Sequence, residues 1–305
     1  MRDILLIVLI MWNMAGFSET LKFDYTQSGQ QSWYNDFPEC SGQWQSPIVI
    51  AASRSVALPL PALEMIGYHD FLPLPLVLTN NGYTVTMNFK RDDLRKRTPY
   101  IFGALLDENQ DYELENFHFH WGLRNSRGSE HVLHGTRHPM EMHLIHRNMK
   151  YANLNTALQH KDGLVVLGVF FNLQEEDNDL LKPLISHLPE IQFANSETKL
   201  NTSIILASFL PQHLNTYYTY RGSLTTPPCN EVVTWIVFAS AVPISFKQMS
   251  KFRLLSNGKG ILADNYRLLQ DVHNRKVYVR RTYSFGANRN EINDLDISTL
   301  KWYYE

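Results

Sequence analysis

The sequence has almost no surplus of either charge: 28 Lys and Arg stand against 30 Asp and Glu, a formal net charge of -2. A surface without a basic excess has no general attraction for phosphate backbones or anionic lipid, so no nucleic-acid partner is expected. Cysteine is nearly missing, with 2 in 305 residues, which excludes a small scaffold held together by disulfide staples. Glycine and proline, 15 and 14, are too few for a collagen-like or low-complexity chain. No internal repeat is visible, and no Gly/Ser-rich or charged stretch divides the chain. The leading apolar run, Ile4 to Trp12, falls short of the roughly 20 residues a bilayer-spanning helix needs, so no membrane anchor is expected.

What remains is an ordinary globular composition, 44% apolar and 12% aromatic. Length alone suggests two domains at about 150 residues each, but one large β domain also reaches this size, and the lack of a linker favours a single domain over residues 22–282. Arg2, the apolar run, and the small residues Gly16 and Ser18 read as a secretory signal over residues 1–18, cleaved before Glu19. Residues 283–305 turn polar and read as a C-terminal extension, too short and polar for a glycolipid-anchor tail. A secreted, extracellular product is expected. In that oxidising setting Cys40 and Cys229 are natural disulfide partners, with two separate buried thiols as the alternative. Asn201-Thr202-Ser203 is a candidate glycosylation triplet.

Extended segments dominate. Tyr83, Val85, Met87 and Phe89 alternate with Thr84, Thr86, Asn88 and Lys90, as in a strand with one apolar face. Leu164 to Phe171 is continuously apolar and predicts a central strand; Glu231 to Phe238 predicts another. Helices are expected only at the periphery, over Leu180–Leu188 and Asn201–Phe209.

The chemistry concentrates in Glu115-Asn116-Phe117-His118-Phe119-His120-Trp121-Gly122. On a strand, His118 and His120 share one face while Phe117, Phe119 and Trp121 take the other. In Met140-Glu141-Met142-His143-Leu144-Ile145-His146 the same alternation puts Glu141 and His143 together. If the two strands are neighbours, His118, His120 and His143 offer three nitrogens to one zinc ion and leave a fourth position for water. Such a site generates a nucleophile near neutral pH without serine or cysteine. Asn116 and Glu141 are placed to receive hydrogen bonds from ring nitrogens that do not bind metal. His131, His134, His138 and His146 compete as ligands but read as structural or exposed. A third segment, Gly222-Ser223-Leu224-Thr225-Thr226-Pro227-Pro228-Cys229, reads as a rigid polar loop.

These motifs, with Ser41 to Ile50 (SGQWQSPIVI), Asn81-Gly82, Ser129-Glu130-His131, Asp162-Gly163-Leu164 and Thr234-Trp235, resemble alpha-class carbonic anhydrases over nearly all of residues 22–282. The resemblance implies a mostly β fold: one domain around a large twisted, mixed but mainly antiparallel sheet with short peripheral helices. It implies Zn2+ on His118, His120 and His143, with Asn116, where glutamine is common, and Glu141 behind them. It implies reversible hydration of carbon dioxide to bicarbonate and a proton, by attack of zinc-bound hydroxide. Thr225 would accept a hydrogen bond from that hydroxide and donate to Glu130. Ile145, Val166, Leu224 and Trp235 would form the apolar carbon dioxide pocket, and Thr226 the bicarbonate exit.

Sulfonamide and anion inhibitors follow from the same likeness, and Cys40 and Cys229 match the disulfide of extracellular members. Tyr25 resembles a tyrosine that orders cleft water. Tyr83 stands where the fastest members carry a proton-shuttling histidine, and a phenol with pKa near 10 predicts slow proton transfer. His69 is an alternative proton route. The competing reading, a binding protein of the same fold, requires a broken triad, whereas His118, His120, His143, Thr225 and Glu130 are all present.

Overall fold

The computed structural model describes residues 23–89, 98–106 and 109–280. The signal segment 1–18 and the extension 283–305 lie outside the described residues, as does Lys90. No helix among the described residues is long and apolar enough to cross a membrane.

A thirteen-stranded sheet organises the described residues, with a separate two-stranded pair, Val49–Ile50 beside Val132–Leu133. Its centre runs from Leu76–Asn80 through Val85–Phe89, Tyr112–Trp121, Met140–Asn148, Leu164–Gln174 and Val233–Phe238 to Tyr217–Gly222. Most pairs are antiparallel. The exceptions join Leu164–Gln174 to Val233–Phe238 and to Val242–Ser245, and Val277–Arg280 to Ser55–Leu58. This is the expected mixed, mainly antiparallel sheet.

Strand alternation divides the apolar side chains between two cores. Phe117, Phe119, Trp121, Met140, Met142, Leu144, Val165, Leu167 and Val169 pack into the larger one. Ile48, Leu164, Val166, Phe170, Trp235 and Val237 pack into a second. His118, His120 and His143 leave their strands on the side away from the larger core, between the phenylalanines and methionines that fill it.

Two expected helices are corrected. Leu180–Leu188 is broken into a 3₁₀ turn at Asp179–Leu181, a single α-turn at Lys182–Ile185 and a second 3₁₀ turn at Leu188–Ile191. Pro183 and Pro189 lack the N–H donors a continuous helix requires. Of Asn201–Phe209, only Leu206–Phe209 coils, as a 3₁₀ turn. The β-branched Ile204 and Ile205 stay extended: the Ile204 carbonyl accepts from the Leu72 N–H, and Ile205 forms a bridge with Phe71. Asn201 itself is exposed.

Three α-helices were not expected, the shortest a single turn at Leu154–Ala157. Gln27–Asp36 is polar, buries only Trp33, and starts where the Thr26 hydroxyl accepts the Gly29 N–H. Phe246–Phe252 carries a readable signal, Ser245 and Gln248 in a reciprocal capping box. The strand predicted from Tyr83 begins at Val85, because the Asn81 side-chain oxygen takes the N–H groups of Tyr83 and Thr84, each at 2.8 Å.

Candidate metal centre

The site is built on strands Tyr112–Trp121 and Met140–Asn148, neighbours in antiparallel register. His118 lies directly opposite His143, and His120 opposite Glu141. The ring centroids are 5.0 Å apart for His118 and His120, 5.2 Å for His118 and His143, and 4.5 Å for His120 and His143. One nitrogen from each ring lies within 4.8 Å of those of the other two.

Two of the remaining nitrogens are tied down. His120 donates from Nδ1 to the Asn265 carbonyl at 2.8 Å, and His143 from Nε2 to Glu141 Oε1 at 2.8 Å. His120 Nε2 is buried and, among the described residues, has no hydrogen-bond partner. A buried polar atom without a partner costs free energy, and here it sits beside two further imidazoles. That donor set fits zinc, which takes neutral histidine nitrogens in tetrahedral sites. Burial, followed by the fields of His120 and His143, holds His118 well below the usual imidazole range; burial likewise lowers His120 despite the opposing charge of Glu130. Both rings are therefore neutral near pH 7.

Glu141 anchors the shell behind the rings. Its Oε1 accepts from His143 Nε2 and, at 2.7 Å, from His131 Nδ1; its Oε2 accepts the backbone N–H groups of Glu130 and His131, each at 2.8 Å. Burial alone would raise its pKa, but the charge and hydrogen bond of His131 and the bond from His143 hold it well below the carboxylate range. His131 Nε2 lies 2.7 Å from the Tyr220 hydroxyl, which donates to Ser46 Oγ at 2.9 Å. His131, Glu141 and His143 also satisfy the spacing of a metal trio. Their mutual hydrogen bonds already use the atoms a second ion would need.

Asn116 is buried, but no hydrogen bond joins it to His118 among the described residues. The register slips between Leu114 and Asn116, a bulge that spacing alone does not reveal.

Glu130 lies behind His120 and His143 with no exposure. Its Oε1 accepts the Arg267 backbone N–H at 2.7 Å, while Oε2 is buried without a hydrogen-bond partner among the described residues, 3.8 Å from His143 Nδ1. Thr225 is buried in its loop, and no hydrogen bond joins it to Glu130 among the described residues. Ile145, Val166 and Trp235 lie side by side on three successive strands and share the second core with Leu224. The Trp235 ring stands edge-on to His143 at 4.7 Å, which places this apolar patch against the histidine triad. Thr226 is half-buried in the same loop.

The loop is moored at both ends. Leu224 N–H donates to the Asn230 carbonyl, and Cys229 is bonded to Cys40. Sequence reasoning missed Asn265 and Arg267, whose strand-free segment shows no periodicity. Asn265 holds His120 and Trp121 and donates to the carbonyls of Tyr83 and Phe119. The Arg267 guanidinium donates to Gln45 Oε1 and to the Ser46 and Cys40 carbonyls; burial lowers its pKa to about 10.

Tyr83 stacks on Phe23 with ring centroids 4.3 Å apart, and Tyr25 packs edge-on to Phe23 and Trp33. The other histidines sit apart from the triad: His146 is buried against Tyr68 on the opposite sheet face, His134 meets Tyr218, and His138 stacks on Phe170. His69 is exposed in a turn whose neighbour Tyr68 packs into the larger core.

Comparison with known proteins agrees with this arrangement. The family described as eukaryotic-type carbonic anhydrase matches residues 28–281. Human "Carbonic anhydrase 6" is 33% identical over 297 residues, covering 93% of this chain and 92% of that protein. With its mostly β fold, its convergent histidine triad and this match over most of its length, the chain belongs to the eukaryotic-type carbonic anhydrase family.

Proposed function

We propose that the protein is a secreted zinc enzyme that interconverts carbon dioxide and bicarbonate. The observation that carries this reading is the convergence of three imidazole nitrogens, with His120 Nε2 buried and unpartnered among the described residues, beside an apolar patch. His118, His120 and His143 would hold the ion. Zinc supplies the Lewis acidity that makes water a nucleophile near neutral pH.

The protein's own groups do the rest. Asn265 and Glu141 fix the rings of His120 and His143, so that each presents its other nitrogen inward. Glu130 Oε2, buried and unpartnered among the described residues, would accept from the Thr225 hydroxyl, whose oxygen would in turn orient the attacking oxygen. Ile145, Val166, Leu224 and Trp235 hold the nonpolar substrate and exclude water, and Thr226 lines the way out for bicarbonate.

Proton release is the slow step. Burial pushes the Tyr83 hydroxyl above the ordinary phenol range, away from the neutral pH at which a relay group must exchange. The Cys40–Cys229 disulfide supports an oxidising compartment.

The test is equilibrium dialysis with zinc alongside stopped-flow carbon dioxide hydration. One zinc per chain is expected, with hydration lost on chelation and restored by the metal. His120→Ala should weaken zinc binding by at least about tenfold. Added imidazole should raise turnover. A chain fully loaded with zinc yet inactive in imidazole buffer would overturn the reading.

A further inference from the structure

Phe23 and Tyr83 are stacked at 4.3 Å with an interplanar angle of 18°, and the Phe23 backbone hydrogen-bonds the Tyr83 side chain. Phe23 is itself wedged, edge-on to Trp33 at 5.3 Å and to Tyr25 at 5.6 Å. Trp33 is 3% exposed; its indole N–H donates to the Asp24 carbonyl and its ring lies under the Arg267 guanidinium. Gln30 donates to the Tyr25 carbonyl, so the helix Gln27–Asp36 grips the segment a second time.

The backbone at position 83 is fixed from below. The Asn81 side chain accepts its N–H and Asn265 donates to its carbonyl, and the same Asn265 holds His120. Position 83 is thus attached to the metal centre by its main chain and to the N-terminal segment by its ring.

A proton relay must face cleft water to collect a proton and bulk solvent to release it, which requires a ring that can turn. We propose that Phe23 is a positioning residue that clamps the ring at position 83, so that this position relays protons poorly whichever side chain it carries. The inference rests on the carbon dioxide hydration reading and adds a cause beyond phenol chemistry. A histidine placed there would be captured by the same stack. The titratable groups facing it are Asp24 and Tyr25, both on the N-terminal segment.

Oxygen-18 exchange between carbon dioxide and water, measured on the zinc-loaded full chain, separates substrate interconversion from proton-dependent water release. Phe23→Ala should leave interconversion unchanged. Tyr83→His alone should raise the water-release rate by less than about twofold. Phe23→Ala with Tyr83→His should raise it about tenfold or more, with a pH midpoint near 6.5. Phe23→Leu, which keeps apolar bulk and loses the stack, should act in the same direction and guards against a folding defect in the alanine variant.

A full gain from Tyr83→His alone, or a double variant no faster than the single one, would overturn the clamp. Loss of interconversion in every zinc-loaded form, wild type included, would instead strike the hydration reading. The clamp has a readout of its own in that event: the ring-flip rate of Tyr83 by carbon-13 NMR should rise about tenfold in Phe23→Ala, and an unchanged rate rejects it.

Discussion

His146 is two strand positions from Leu144 and lies on the opposite strand face from the histidine triad. Buried with its Nε2 2.6 Å from the Tyr68 hydroxyl, it has its pKa lowered by burial to about 3. The unfolded imidazole titrates near 6.5, so between those values the unfolded chain binds the extra proton and the folded chain does not. Its contribution to stability is complete above about pH 6.5 and is lost as pH falls toward about 3, with a slope of up to about 1.4 kcal/mol per pH unit. His146→Asn, which keeps a polar partner for Tyr68, should flatten urea-unfolding stability between pH 6 and 4 relative to wild type. Parallel profiles would sink this assignment. His143, three residues earlier on the same strand, differs in strand parity, and parity was legible in the sequence. The identity of the partners was not: Asn265 and Arg267 reach the site from 120 or more residues beyond the triad through backbone groups, which leave no side-chain pattern to read.

At the level of elements, the strands Leu164–Gln174 and Val233–Phe238 were legible because β-branched apolar runs bury on both faces. The short helices were not, since proline-interrupted turns and a polar helix anchored by Trp33 lack a 3.6-residue stripe. Strand pairing also sets a space requirement that no periodicity expresses. Gly168 lies opposite His143, and a Cβ there would stand 3.3 Å from Glu141 Oε1 and 3.3 Å from Val237 Cγ2. Glycine therefore leaves room for the carboxylate that holds His143. Gly168→Ala should displace Glu141 by a few tenths of an ångström and weaken zinc binding by about tenfold, read by chelator competition. Unchanged affinity would show that Val237 yields instead.

For the molecule as a whole, Cys40–Cys229 closes a loop with a sequence separation of 189 and ties the N-terminal segment to the Thr225 loop. In the chain-entropy account, such a bridge stabilises by about 2–5 kcal/mol. Reduced protein, or Cys40→Ser with Cys229→Ser, should unfold at correspondingly lower urea, and folding yield should be higher from an oxidising compartment than from a reducing one. Equal midpoints in both redox states would remove the main structural argument for secretion.

The seam between Ser55–Leu58 and Val277–Arg280 has a consequence for the protein's birth. These two strands pair in parallel although more than two hundred residues separate them, and among the described residues Ser55–Leu58 has no other strand beside it. During synthesis the early strand must wait, unpaired, until nearly the whole chain has emerged. An unpaired strand edge invites association with other chains, so a nascent molecule is most vulnerable before Val277–Arg280 arrives, and a ribosome stalled short of that point would release a species prone to aggregate, with its metal ligands already made.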